Sequence, residues 1–455
     1  MNISGFYRIK LVTILIFFTL SFTCMRSKAQ SGGGEAYPNL QTNQIALEDF
    51  SEMKFGLFVH WGPVSLRGTE IGWSRGKQVP IEEYDNLYKE FDPALFNADT
   101  WVKTASDAGM KYLVFTSKHH DGFCMWPSVF TDYDIGSTPY QRDILKELAD
   151  ACNKYNIKFG LYYSIADWHH PHYTTRYGGD PRPVEESNME IYVDYMKNQL
   201  KELIDRYDPF LIWFDGAWEN AYTHEMGMNL YAYLRTLKDD LVINDRVDKG
   251  HQGVKVKEIE NPEKYAGDYA TPEQRIGAVD FNLPWETCMT ICKQWAWKPN
   301  DSMKSVEQSL STLIRTIGGG GNLLYNVGPM LDGRIEQRQK DLLIAVGTWV
   351  KKNERAIYAT KGGPYLPNDD FVSTRKGESI FVFVLNRELK DLKLPLTREM
   401  RINRVSNLAT GNPLEYKMYK DSVIVTVLHS PEYPQVIQID IDSDTGKLGP
   451  ISSRK

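Results

Sequence analysis

The sequence predicts an α/β protein: a barrel of alternating strands and helices followed by a C-terminal antiparallel β-sandwich. Three observations predict it. Short apolar segments alternate with longer segments of helical spacing from about residue 45 onward. Polar residues cluster just past the ends of the short segments. After Lys361-Gly362-Gly363-Pro364 the helical segments give way to short runs, most of them rich in Val and Ile.

The short segments are Lys54–His60, Lys111–Ser117, Lys158–Ser164, Pro209–Phe214, Leu241–Asn244 and Asn322–Asn326. Apolar runs of this length suit parallel strands covered on both faces. The longer segments are Asp99–Ala108, Asp143–Tyr155, Met189–Tyr207, Met226–Lys238, Ser305–Ile317 and Glu336–Asn353. At least six such units over roughly 310 residues favour a barrel over an open sheet. Gly318–Gly321 reads as a turn before a strand; no Lys-Ser/Thr pair follows it, so it is not a phosphate loop. The barrel is placed at residues 45–360 and the sandwich at residues 362–455. In the sandwich the expected strands are Ser379–Leu385, Lys390–Leu394, Met400–Val405, Ser422–Val427 and Val436–Ile441, with turn residues such as Gly411-Asn412-Pro413 between them.

Residues 1–29 read as a signal peptide. Arg8 and Lys10 precede an apolar run, Leu11 to Thr23, that is too short to span a bilayer alone. Ser27-Lys28-Ala29 offers small residues for cleavage after Ala29, and a lipid anchor at Cys24 is the competing reading. Either way the mature chain is exported, periplasmic or extracellular, and no later segment reads as transmembrane. Loss of Arg8, Lys10, Arg26 and Lys28 moves the formal charge from −6 to −10. An acidic chain without a basic run excludes nucleic acid and anionic membranes as partners, and suits a neutral glycan. Cys124, Cys152, Cys288 and Cys292 remain after cleavage. They lack zinc-ligand spacing and read as buried thiols, with a disulfide as the alternative. The sequence sets no oligomeric state. Eleven Trp and 26 Tyr serve either a large aromatic core or platforms for sugar rings, and composition does not choose between them.

The residues past the strand ends carry the chemistry. His60-Trp61-Gly62, Lys118-His119-His120-Asp121, Asp167-Trp168-His169, Asp215-Gly216 and Asn244-Asp245-Arg246 would converge at the C-terminal mouth of a barrel, where active sites sit. Asp215 follows four apolar residues and so ends a buried strand, where a carboxylate needs a partner or a task; a helix cap is its ordinary alternative. His60, His119, His120 and His169 read as a metal cluster with Asp121 and Asp167, or as neutral imidazoles that bind sugar hydroxyls. Adjacent His119 and His120 point opposite ways in an extended chain, which favours hydroxyl binding. A glycosidase needs a second carboxyl group. Glu273 and Glu286, both on segments that look like long loops, are the candidates, with Glu70, Glu82 and Asp167 behind them. Arg246 either holds a carboxylate or a sugar oxygen, or pairs with Asp245 or Asp248.

Together these motifs resemble the retaining α-L-fucosidases of glycoside hydrolase family 29. The matching stretches are Phe55-Gly56-Leu57-Phe58-Val59-His60-Trp61-Gly62, Lys118-His119-His120-Asp121-Gly122-Phe123, Trp213-Phe214-Asp215-Gly216 and Asn244-Asp245-Arg246. Next come Asp268-Tyr269-Ala270-Thr271-Pro272-Glu273, Trp285-Glu286-Thr287, and Gly319-Gly320-Gly321-Asn322-Leu323-Leu324 with Asn326-Val327-Gly328-Pro329. The resemblance covers about residues 45–360 and implies a (β/α)8-like barrel with a C-terminal β-sandwich. It implies Asp215 as nucleophile and Glu273 as acid/base, with Glu286 as rival. It implies that His60, His119, His120, Trp213 and Arg246 hold the fucose, that Trp295 faces its methyl group, and that no metal or organic cofactor is needed. Many members carry a Glu-Trp pair after the His-Trp-Gly strand. This chain reads Glu70-Ile71-Gly72-Trp73, so Trp73 takes the Trp role and the place of Glu70 is open.

The expected activity is exo-acting, retaining release of terminal L-fucose from a fucosylated oligosaccharide or glycoconjugate. Competing readings are a fucose-binding protein without catalysis, a metal-dependent barrel hydrolase using His119, His120, His169 and Asp215, and an α-L-galactosidase. The last would have to fit an extra hydroxyl beside Trp295.

Overall fold

The computed structural model describes residues 32–249, 262–281, 283–428 and 433–452. The expected signal peptide and Cys24 lie outside the described residues.

Seven parallel strands form one curled sheet: β1 (Phe55–Val59), β2 (Tyr112–Lys118), β3 (Lys158–Ser164), β4 (Leu211–Asp215), β5 (Val242–Ile243), β6 (Glu286–Thr290) and β7 (Asn322–Val327). Their order is β5-β4-β3-β2-β1-β7-β6. The two edges, β5 and β6, are joined through residues 268–274. Asp268 donates to the Ile243 carbonyl and Asp245 to that of Tyr269 on one side; Glu286 donates to Ala270 and Gln274 to Cys288 on the other. This irregular segment completes the barrel in place of an eighth strand. Pro272 has no N–H to give a regular ladder.

Period-two alternation decides what each strand residue does. Phe55, Leu57, Val59, Leu113, Phe115, Leu161, Tyr163, Ile212 and Phe214 point outward into the main core, under the helices. The helices Ala98–Asp107, Ile144–Tyr155, Met189–Tyr207, His224–Leu237, Val306–Gly318 and Gln337–Asn353 supply the other side of that core. Phe58, Tyr112, Val114, Tyr162, Leu211, Trp213, Cys288 and Leu324 form the barrel interior. The helix Gln44–Met53 closes the N-terminal end, with Leu47 and Phe50 reaching into that cluster.

The segment carrying Glu286 is the correction here. It begins strand β6 and is not a loop over the mouth. Its sequence, ETCMT, lacks an apolar run because its inward positions carry a buried acid and a thiol. Cys124, Cys152, Cys288 and Cys292 are free thiols, the first three buried.

From Lys361 the chain forms two antiparallel sheets. One is ordered β12 (Ile402–Asn407), β15 (Gln435–Ile441), β10 (Ser379–Val384), β9 (Phe371–Lys376), β8 (Lys361–Gly362). The other is ordered β11 (Asp391–Pro395), β14 (Ser422–Thr426), β13 (Tyr416–Met418). Ile380, Val382, Ile437 and Ile439 of the first meet Leu392, Leu394, Val423 and Val425 of the second in one buried cluster. The other face of the first sheet packs on the barrel: Val372, Phe381 and Phe383 join the main core, and Trp349 donates its indole N–H to the Pro434 carbonyl at 2.9 Å.

Candidate active site

Parallel strands deliver side chains from distant parts of the chain to one mouth. A cavity of about 340 Å³ opens there, lined by His60, Trp73, His119, Trp213, Asp215, Arg246, Glu273 and Trp295, and also by Phe58, Tyr162, Trp218 and Cys288.

Asp215 is the last residue of β4 and is 9% exposed. Gly216 follows it with φ +90°, and a Cβ there would meet the Ala166 nitrogen at 2.5 Å; only glycine lets the chain turn away so closely. Asp215 Oδ1 accepts from Arg246 Nη1 at 2.9 Å, and Oδ2 accepts from the Tyr162 hydroxyl at 3.1 Å. Arg246 Nη2 reaches Glu273 Oε2, also at 2.9 Å. Its Nε and Nη2 donate further to Thr271 Oγ1 and the Thr271 carbonyl, and its guanidinium lies over Trp213, 4.6 Å from the ring centroid. Burial opposes the charge of Arg246, but the carboxylates of Asp215 and Glu273 outweigh it and hold the guanidinium well above its ordinary pKa. One fixed cation therefore gathers both carboxyl groups into one cleft. The Glu273 side chain is 39% exposed against 13% for Asp215, so water reaches Glu273 more freely.

Burial keeps His60, His119 and His120 neutral. Burial pushes His60 and His120 down to about 3 and His119 well below its ordinary value. Their neighbours also fix tautomers. Asn326 donates its amide to the Trp295 carbonyl at 2.8 Å, which turns its oxygen to His60 Nδ1 at 2.7 Å. His60 thus carries its proton on Nδ1, and Nε2 is left as an acceptor. His120 Nδ1 meets the Ser164 hydroxyl at 2.6 Å, and Ser164 spends its own proton on the Ala166 carbonyl. His120 Nε2 lies 3.6 Å from Asp215 Oδ2, behind the residues that line the cavity. His119 stacks on Tyr162 with centroids 5.3 Å apart. Gly72 passes so close that a Cβ would sit 2.8 Å from His119 Nδ1. Neutral imidazoles and a tyrosine hydroxyl suit the recognition of several sugar hydroxyls.

The remaining candidates stand elsewhere. His169 stacks on Tyr133 at 3.9 Å. Asp167 pairs with Lys118 inside the core at 3.1 Å and caps the His169 and His170 amides. Asp121 accepts from Tyr84. Among the described residues, no three His, Cys, Asp or Glu side chains converge as a ligand set. Glu82 is exposed on the short helix Ile81–Tyr84. Glu70 accepts the backbone N–H groups of Trp295 and Ala296 at 2.9 and 3.0 Å and so fixes the Trp295 segment rather than lining the cavity. Glu286 starts β6, deep in the barrel, with 0% exposure. It accepts from Trp213 Nε1 at 3.0 Å, from Tyr112 and from Tyr269. A carboxyl group enclosed by three donors beneath Trp213 cannot reach a glycosidic oxygen, and the rival acid/base is corrected on that ground.

Of the lining residues not singled out in the sequence, Phe58 and Tyr162 lie two positions before His60 and Ser164, and strand alternation marks them as inward. Cys288 follows Glu286 in the same way. Trp218 sits on the loop after Asp215, where no periodic signal applies.

Two carboxyl groups on one arginine, at the mouth of a parallel barrel with an aromatic and imidazole wall, define a glycoside hydrolase. The α-L-fucosidase family model matches residues 23–355. Tissue α-L-fucosidase from Bos taurus is 32% identical over 370 residues, 74% of this chain and 74% of that one. The α-L-fucosidase from Branchiostoma floridae is 31% identical over 406 residues, 81% of this chain and 85% of that one. Among solved structures, α-L-fucosidase isoenzyme 1 from Paenibacillus thiaminolyticus has a TM-score of 0.79 at 30% identity, covering 88% of this chain and 99% of that one. A family 29 α-L-fucosidase from Bacteroides thetaiotaomicron, trapped as a covalent intermediate with 2-fluoro-fucosyl fluoride in a Glu-to-Gln mutant, has a TM-score of 0.79 at 28% identity, covering 88% and 97%. The chain belongs to the α-L-fucosidase family.

Proposed function

We propose that this protein removes terminal L-fucose from fucosylated oligosaccharides or glycoconjugates, with Asp215 as nucleophile and Glu273 as acid/base. The observation that carries the assignment is the bridge from Arg246 to both carboxyl groups in one cavity. In the first step an Asp215 oxygen attacks the anomeric carbon, and the bond to the leaving oxygen breaks as Glu273 protonates it. In the second, Glu273 takes a proton from water, the water oxygen attacks the anomeric carbon, and Asp215 leaves as carboxylate. Two inversions give net retention. His60 and His119 hold hydroxyls as neutral groups, with His120 behind them beside Asp215; Trp213, Trp73 and Trp295 pack against the ring and methyl group. A sugar with different hydroxyls would leave buried polar atoms unpaired, at roughly 1–3 kcal/mol each.

The same reading covers the organisation of the chain. Residues 1–29 direct export and leave the mature protein, residues 45–360 are the catalytic barrel, and residues 362–455 are the sandwich. Among the described residues, no helix is long and apolar enough to cross a membrane.

The test is hydrolysis of an aryl α-L-fucoside by the wild type, Asp215→Ala and Glu273→Ala, with and without azide. Both variants should lose about 10²–10⁴-fold in kcat. Azide should give β-fucosyl azide with Asp215→Ala and α-fucosyl azide with Glu273→Ala. Full activity of Glu273→Ala on natural substrates would remove the acid/base assignment, and an inert wild type would remove the enzyme.

A further inference from the structure

A second cavity, of about 670 Å³, lies outside the barrel, between the helix Val306–Gly318 and the sandwich. One wall is a stripe of Lys304, Gln308, Ser311, Thr312 and Arg315. These residues recur every three or four positions and so share one helix face. The other wall is Leu385 and Tyr433. The same helix turns Leu310, Leu313, Ile314 and Ile317 the opposite way, into the main core. No residue of this cavity lines the one at the barrel mouth.

Charge distinguishes the place. The chain is acidic overall, at −6, yet Lys304 and Arg315 are half-buried here without an acid. Lys304 donates to the Thr290 carbonyl, and Arg315 Nη1 donates to the Asn368 carbonyl at 3.1 Å. Among the described residues, neither has a carboxylate partner. Burial pushes the Lys304 ammonium below its ordinary pKa, and no carboxylate offsets it. The acid in the lining, Glu307, is committed to Arg387 at 3.1 Å, and Arg387 lies over the Tyr433 ring, 3.9 Å from its centroid. The cavity therefore holds a surplus of positive charge, and a sheltered cation is best satisfied by an anion that hydrogen-bonds to it.

The two cations stand at opposite ends of the stripe, roughly 15 Å apart along the helix, too far for one small anion to bridge. Between them are groups that suit ring hydroxyls. Gln308 Oε1 accepts from the Ser305 amide at 2.9 Å, which leaves its Nε2 to donate. Thr312 donates its proton to the Gln308 carbonyl at 2.8 Å and can still accept. The Ser311 hydroxyl lies beside them. A peptide strand fits less well. Strand β10, which ends next to Leu385, is paired on both sides, and Leu385 is the one aliphatic side chain among the described lining residues.

We propose that this cavity is a second carbohydrate site, for an oligosaccharide that carries carboxylate or sulfate groups. Arg315 and Lys304 pair with the anions, and Gln308, Ser311 and Thr312 take ring hydroxyls. The site uses neither catalytic carboxyl group and does not depend on the fucosidase reading.

The experiment is titration calorimetry of the whole protein at low salt with fucose-free probes: trigalacturonic acid, a sulfated galactotriose and the unsulfated galactotriose. Wild type, Arg315→Gln and Ser311→Glu are compared, each with a melting curve and aryl α-L-fucoside kinetics. At least one acidic probe should bind, and which one binds names the anion. The neutral probe should bind about tenfold more weakly or worse, the effect of one charge-assisted hydrogen bond. Arg315→Gln should weaken the acidic probe by a similar factor. Ser311→Glu puts a like charge into the groove and should abolish binding. Fucoside kinetics and melting should stay as in the wild type. Absence of binding by both acidic probes, equal binding of the neutral one, or full affinity in both variants would overturn the site. So would tetraglutamate binding as tightly as the acidic sugars. Fucoside hydrolysis reports separately on the catalytic assignment.

Discussion

Arg246 donates to Asp215 across 2.9 Å from one terminal nitrogen, and the other terminal nitrogen is committed to Glu273. Lysine cannot reproduce this, because an ammonium lacks the fork that spans two carboxylates and a threonine carbonyl at once. Arg246→Lys keeps a cation in the cleft, so the fold should survive. Its kcat/KM on an aryl fucoside should drop roughly 10²-fold, since misplacing either carboxyl group costs transition-state stabilisation. Steady-state kinetics beside a melting curve check this, and an unimpaired variant would show that the bridge does not organise the reaction.

Tyr162 touches the same carboxylate from the other side, at 3.1 Å, while its ring stacks on Trp213 at 5.6 Å and on His119 at 5.3 Å. Phenylalanine retains both stacking contacts and removes only the hydroxyl. Tyr162→Phe should therefore lower kcat by about tenfold with little change in melting temperature, the size of one hydrogen bond to a charged group. A fall in stability without a fall in kcat would place the residue in the packing alone.

Glu70 supplies a third test. Its two oxygens accept from the backbone of Trp295 and Ala296, and Trp295 lies 4.8 Å from His60 across the cavity wall. In Glu70→Gln an amide nitrogen faces one of those N–H groups and cannot accept. Trp295 should then be less well held, and KM for fucosides should rise several-fold, with kcat affected less. Unchanged KM would mean that the wall is fixed without this clamp.

Much of this site was legible in the sequence because barrel strands announce themselves. Apolar runs at Lys158–Ser164 and Pro209–Phe214 end in polar residues, and those ends form the mouth. Asp215, Arg246 and His119 stood out by position at strand ends, whereas His120, read with them, lies behind the cavity wall; Glu273 and Glu286 were both candidates as acids on apparent loops, and the motif resemblance put Glu273 first. Where the apolar signal failed, the reading failed with it. Strand β6 has a glutamate, a cysteine and two threonines in five residues, so it looked like a loop. Its register, which sends Glu286 to the barrel interior, came only from pairing with Asn322 of β7. The closure through residues 268–274 was equally hidden, since a segment with Pro272 carries no strand signature. In the sandwich, Phe371–Lys376 went unread because FVSTRK carries only two apolar residues, although Val372 packs on the barrel helices.

Glu286 carries the last prediction. Burial raises its carboxyl group from 4.5 to about 7, against the pull of bonds from Tyr112, Trp213 and Tyr269. Because the folded-state value is raised, the folded protein keeps a proton between 4.5 and about 7 that the unfolded chain has released. This group's contribution to stability therefore falls as pH rises through that window, and the loss is complete above it, on the order of 3 kcal/mol. Glu286→Gln has no proton to lose. Its constant cost is a donor facing donors: the Tyr112 hydroxyl, or the Trp213 and Tyr269 groups, must give up an acceptor. That cost does not vary with pH, whereas the wild-type penalty does. The melting temperature of the variant relative to wild type should thus climb between about pH 5 and about pH 8. Thermal melts of both proteins across that range decide it. A difference that stays flat with pH would mean that Glu286 is ionised throughout, as the three donors alone would have it.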